Sequence, residues 1–239
     1  MALPVLNEVP KYDITIPSTG EKTTFRPYLV KEEKILLMAS ESNDEETIAK
    51  ATIELIKHCV NSNINEKDLT DFDMEYLFCK IRSKSVGETS KMQMNCTHED
   101  CVEGTEVDVP LDKVYIDIDK NISPIIDITD NVKIEMRYLT YYDYLNNNML
   151  KNKETESELI FNIILSSIKS IMTDEDKIDA KDEPIEELIN FVNNMTTTQF
   201  NKLKHFVENT PQVSLNINWT CESCKRENGL IVKGIMDFF

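Results

Sequence analysis

Four of the chain's cysteines stand in two pairs with the spacing of metal ligands. Cys96-Thr97-His98-Glu99-Asp100-Cys101 is a C-x4-C, and Cys221-Glu222-Ser223-Cys224 is a C-x2-C, with residues 102–220 between them. Within each pair the cysteines are too close for an ordinary disulfide across a sheet, whereas two ligands of one metal are spaced this way. Four thiolates converging from two turns hold a structural Zn2+, so Cys96, Cys101, Cys221 and Cys224 are expected to be its ligands. His98 lies inside the first turn, where it either replaces Cys96 or Cys101 or faces solvent. Cys59 and Cys79 fall on apolar helical faces and read as buried free thiols.

Catalytic chemistry needs a constellation, and the sequence holds none. His58, His98 and His205 sit in unrelated contexts, without H-E-x-x-H, G-x-S-x-G or a deaminase-type H-x-E. A catalytic zinc keeps an open position, usually beside His or water, whereas four cysteines close the shell. Gly20, Gly87, Gly104, Gly229 and Gly234 are isolated, so no Gly-rich phosphate loop can form. The acidic groups Asp71/Asp73/Glu75 and Asp117/Asp119 are read as chance pairs in a chain with 43 acids. No catalytic and no cofactor-binding residue is therefore expected, and the chain is read as a non-enzyme.

The elements that must position the cysteines follow from periodicity. Residues 1–30 read as an extended arm, with short strands either side of Pro17-Ser18-Thr19-Gly20 making a hairpin. Pro4 and Pro10 disfavour helix, so residues 1–12 are expected to order on a partner. Phe25, Tyr28 and Leu29 suit binding into a neighbouring subunit, or the arm folds back as an edge strand of its own body.

Residues 31–87 read as a helical segment. Asn43 or Asp44 caps a helix with Ile48, Thr52, Leu55, Ile56 and Cys59 on one face, and a further helix carries Phe72, Tyr76, Leu77 and Ile81 from Asp71 to Lys84. Residues 88–139 are β-rich. A hairpin with Met92, Met94, Val107 and Val109 bears the first cysteine pair at its tip, and strands are expected over 114–118 and 132–138. Residues 140–210 read as a helical insertion: Thr140 caps a helix through Leu150, one amphipathic helix runs Glu156–Met172, Pro184 opens the next, and Thr196-Thr197-Thr198 precede the last. Residues 211–239 form a second hairpin with the second pair at its tip. The fold class is α+β: an N-terminal arm or hairpin, a helical body, and a discontinuous zinc-ribbon-like pair of β-hairpins.

At 239 residues and 41% hydrophobic, the chain can bury a sizeable core. No run approaches the roughly 18 apolar residues of a membrane helix, and the N-terminus lacks a secretory pattern. A cytosolic origin follows, where paired cysteines mean metal more often than disulfide. The net charge of −17 repels phosphate backbones, and acids greatly outnumber bases between Lys153 and Glu187. Near the second pair, Lys225, Arg226 and Lys233 are offset by Glu222, Glu227 and Asp237, so a zinc-ribbon regulator binding nucleic acid or a polymerase lacks its basic face.

Leu3-Pro4, Tyr12–Gly20 and Phe25–Lys34 resemble the start of the T4-type bacteriophage baseplate protein family, tail proteins linked to the central hub and its assembly. Arg82-Ser83-Lys84-Ser85-Val86-Gly87-Glu88 and the closing Phe238-Phe239 are similar to further segments of that family. The resemblance implies a structural or hub-assembly role in the virion, after synthesis in the host cytoplasm, with other tail proteins as partners in several symmetric copies. It brings no catalytic residues, and implies neither nucleic acid nor membrane as partner. A stable virion component and a transient assembly chaperone remain equal readings. The 150–190 stretch matches no pattern of the family.

Overall fold

The structure is a computed structural model that describes residues 9–42, 44–61, 64–101, 103–119, 121–151 and 155–234. The Leu3-Pro4 motif, the first eight residues of the arm, the Asn43 cap and Phe238-Phe239 lie outside the described residues. The chain divides into two compact units, Met1–Asp117 with Gln212–Phe239, and Ile118–Pro211. The mixture of helices with small antiparallel sheets is α+β, as expected.

In the first unit, β1 (Tyr12–Thr15) and β2 (Lys22–Phe25) pair antiparallel from Tyr12↔Phe25 to Thr15↔Lys22. Gly20 sits in the turn at φ +71°, where a side chain is strained. The hairpin folds back onto its own unit. Phe25 is buried and bridges Val60, Tyr28 N–H donates to Ser85 Oγ (2.9 Å), and Ser18 N–H donates to Asp73 Oδ1 (2.9 Å). These contacts favour the second of the two readings of the arm.

Three helices follow: α1 (Val30–Glu41), α2 (Glu45–Cys59) and α3 (Asp71–Val86). Asp44 caps α2 by accepting from Thr47 N–H (3.0 Å). Thr70 and Asp73 form a capping box on α3, and fully buried Asp73 therefore serves both the helix start and the hairpin turn. This use accounts for one acid of the Asp71/Asp73/Glu75 group. Burial pushes the Asp71 carboxyl up to about 6, against hydrogen bonding from Phe72 N–H.

Strands β3 (Thr89–Asn95) and β4 (Gly104–Pro110) form the first cysteine hairpin, in register from Thr89↔Pro110 to Asn95↔Gly104. A short β5 (Tyr115–Ile116) is two residues long, less than the strand expected over 114–118. The first unit is completed by the C-terminal hairpin. Its strands, Val213–Thr220 and Glu227–Lys233, form with β5 a three-stranded antiparallel sheet, in which Val213–Thr220 is central. Alternating Met94, Val107 and Val109 on one hairpin and Val213, Leu215, Ile217 and Trp219 on the other share one core with Cys79.

The second unit is built on a four-stranded antiparallel sheet, β6 (Ile125–Asp127), β7 (Val132–Met136), β8 (Ile168–Thr173) and β9 (Lys177–Asp179), ordered as in the chain. Its helices are α4 (Tyr141–Asn146), α5 (Asn148–Lys151), α6 (Glu156–Ser167), α7 (Ile185–Asn193) and α8 (Thr197–Glu208). Thr140 caps α4 and Thr196 caps α8, each in a capping box, and Pro184 stands immediately before α7, as their types predict.

Two expectations for this region are corrected. The helix from Thr140 is broken at Asn147, whose extended backbone separates α4 from α5. The helix expected to reach Met172 stops at Ser167, and Ile168–Thr173 is a strand. A short apolar run fits a helix or a buried strand equally by periodicity; the open ladder of β7 decides, pairing Ile134 with Ile171. Ser167 C=O accepts from Arg137 N–H (2.8 Å), which satisfies a terminal carbonyl of α6 where the strand begins. The row Ile126, Ile134, Ile171, Ile178 crosses the sheet on one face.

Candidate metal centre

The last two strands are numbered β10 (Val213–Thr220) and β11 (Glu227–Lys233). Each cysteine pair occupies the tip of a two-stranded hairpin, and the backbone closes each tip. Cys96 N–H donates to Glu103 C=O (3.1 Å) and Cys101 N–H to His98 C=O (3.0 Å). In the second turn Cys221 N–H donates to Arg226 C=O (2.9 Å) and Lys225 N–H to Cys221 C=O (3.0 Å). Lys225 holds φ 59° there, a left-handed conformation that disfavours a side chain.

The four sulfurs of Cys96, Cys101, Cys221 and Cys224 lie within 4.8 Å of one another. Two contacts cross between the turns, Cys96 Sγ to Cys224 Sγ and Cys101 Sγ to Cys221 Sγ, both 3.7 Å. A disulfide holds its sulfurs about 2 Å apart, so these are free thiols. A tetrahedral ion with metal–sulfur bonds of about 2.3 Å has sulfur–sulfur edges of about 3.8 Å. The residues therefore fit a tetrahedral, all-thiolate metal.

The electrostatics point the same way. Backbone N–H groups of Cys224 and Ser223 pull Cys221 down to about 6, and Arg226, through its N–H and its guanidinium, lowers Cys224. At Cys96 the His98 N–H lowers the value, but burial and the neighbouring thiols outweigh it and push the thiol to about 11. Like groups sharing one site ionise in sequence rather than together, and a divalent cation removes that conflict.

Three contacts that the sequence reading missed bind one turn to the other. Buried Asn228 on β11 turns its Oδ1 to the first knuckle, accepting from Thr97 N–H and Thr97 Oγ1 (both 2.8 Å), while its Nδ2 donates to Arg226 C=O (3.0 Å). Glu222 N–H donates to buried Thr105 Oγ1 (3.1 Å), and Arg226 pairs with Asp100. The available signal was Asn228 itself, an amide at an inward position of a strand, where Asn is disfavoured without a partner.

His98 stays outside the group of four. It is half-buried, with Nδ1 3.4 Å from Cys96 Sγ. Cys59 and Cys79 are buried free thiols, as expected, and burial pushes them up to about 11 and about 12. Asp117 and Asp119 join no metal-holding group among the described residues. A groove of about 830 Å³ lined by β1, β2 and α3 contains Lys80 and Lys84, whose ammonium groups are engaged by Asp112 C=O and Glu88.

Comparison with known proteins gives one family. The model described as T4 bacteriophage base plate protein matches residues 9–239, which include both hairpins and the whole second unit. No curated protein and no solved structure matches the chain.

Proposed function

The chain belongs to the T4 bacteriophage base plate protein family, and from that premise we propose that it is a non-catalytic structural or assembly protein of the hub region of a contractile-tail baseplate. Its internal staple is a structural Zn2+ held by Cys96, Cys101, Cys221 and Cys224. Zinc suits this set because four thiolates close a tetrahedral shell around an ion with no redox chemistry of its own. The ion would hold the two hairpins together across residues 102–220, and no residue is assigned a chemical step.

The observation that carries the role is the family match over residues 9–239. A surface feature supports partner binding. On α1, Val30, Leu37 and Met38 are 79%, 58% and 62% exposed, while Glu32 and Ala39 on the opposite face are buried. The partners are other tail proteins, with the chain present in several symmetric copies of the virion tail. The basic residue Arg226 is paired with Asp100, and the net charge of −17 disfavours a nucleic-acid partner. Among the described residues no helix is long and apolar enough to cross a membrane.

Quantitative mass spectrometry of purified particles tests the role. Stoichiometric presence is expected for a structural subunit. Presence only in baseplate intermediates identifies an assembly factor, and absence from both overturns the reading. Metal analysis of the purified chain is expected to give one zinc per chain.

A further inference from the structure

β11 is an edge strand whose outer side has no pairing partner among the described residues. Two bonds at its ends set the phase of its ladder: Cys221 N–H to Arg226 C=O and Gly234 N–H to Val213 C=O. With Leu215 opposite Val232 and Ile217 opposite Leu230, the even-numbered residues of β11 bond inward to β10. Glu227, Gly229, Ile231 and Lys233 therefore aim their N–H and C=O groups outward, and an open ladder of this length is a template for another strand. The side chains show the same vacancy. Leu230 lies on the face of buried Asn228 and Val232, yet is 45% exposed, and Ile231 on the other face is 56% exposed.

We propose that the occupant is a second copy of this chain, its β11 pairing antiparallel across a twofold axis that passes by Leu230. Three properties of the strand select this partner. In this register outward-bonding residues meet outward-bonding ones, Gly229 opposite the partner's Ile231 and Glu227 opposite the partner's Lys233. The opposite charges then meet twice, once at each end of the ribbon, and Leu230 meets the partner's Leu230 on the inner face, which extends the core across the axis. Gly229 gives Ile231 room. A shift of one residue sets outward-bonding groups against inward-bonding ones, and a shift of two keeps the bonds but parts the charges. The interface is isologous and closes at two copies.

Analytical ultracentrifugation of the full chain tests this. The wild type is expected to sediment as a concentration-dependent dimer. Glu227→Lys or Lys233→Glu places like charges opposite each other twice and is expected to raise the dimer dissociation constant about tenfold or more. The double variant E227K/K233E restores the pairing to within a few-fold. Ile231→Pro removes an outward N–H that β10 does not use, and is expected to give a monomer. Circular dichroism checks that each variant folds, and should Ile231→Pro unfold, the two exposed charge positions decide alone. A wild type that stays monomeric at its highest soluble concentration overturns the proposal, as does a dimer indifferent to the single swaps or not restored by the double. The outcome is independent of the baseplate role, since a chain absent from particles can still pair through β11.

Discussion

At the residue scale, the candidate metal centre divides between the four thiols and the groups that position them. Replacing Cys221 and Cys224 by Ser removes half of the donor set. It is expected to abolish zinc binding and to destabilise the first unit by several kcal/mol, on the order of the metal's share of folding energy, as read by metal analysis and chemical denaturation. Asn228→Ala keeps every ligand but leaves the N–H and hydroxyl of Thr97 without their acceptor. A loss of about 1–3 kcal/mol is expected, with zinc still bound at one per chain. Lys225 occupies left-handed backbone in the second knuckle. Lys225→Gly is therefore expected to hold or raise the melting temperature, whereas Lys225→Val lowers it, since a β-branched residue tolerates that φ least. Thiol spacing made the group of four cysteines legible in the sequence; the Asn228 bracket was not, because it joins residues 131 positions apart.

At the scale of elements, caps were legible and the fate of apolar runs was not. Thr70, Thr140 and Thr196 each stand where a local side-chain-to-backbone bond decides a helix start, and such bonds depend only on near neighbours. Ile168–Thr173 depends instead on β7 being present to pair with it. The same pairing builds a charge cluster that no local pattern announces. Lys169 and Lys177, with the hydroxyl of Ser170, hold the Glu135 carboxyl down to about 2. A depressed carboxyl contributes stability that is fully present above its unfolded value, near 4.5, and is lost as pH falls toward about 2. Glu135→Gln is thus expected to destabilise the second unit at neutral pH and to flatten its loss between about pH 4.5 and 2. Solvent screens pairs at this depth, so the neutral-pH effect is about 1 kcal/mol or less, read from melts across pH.

At the scale of the whole molecule, the cluster of four cysteines and the second unit are separate consequences of one chain. The unit Ile118–Pro211 has its own core, with Ile134, Ile164 and Leu203 fully buried, and contains none of the four cysteines. Chelation is therefore expected to lower the melting of the cysteine-bearing unit by on the order of 10 °C or more and to leave exchange protection in 125–208 unchanged. Hydrogen–deuterium exchange with and without chelator checks this, and uniform loss across both units contradicts it.

By itself the sequence determined what is local: the identity and spacing of the four thiols, the helix caps, the alternation of the two cysteine hairpins, the excess of acids, and the motifs similar to the baseplate family. Only the tertiary structure decided what depends on distant partners. It brought two knuckles separated by residues 102–220 to within 4.8 Å, set Asn228 between them, turned a helical-looking run into β8, and left the outer side of β11 unpaired among the described residues. The reason is one of range. A spacing or a cap is written within a few residues of the chain, whereas convergence and edge exposure exist only once the hairpins have buried their shared core.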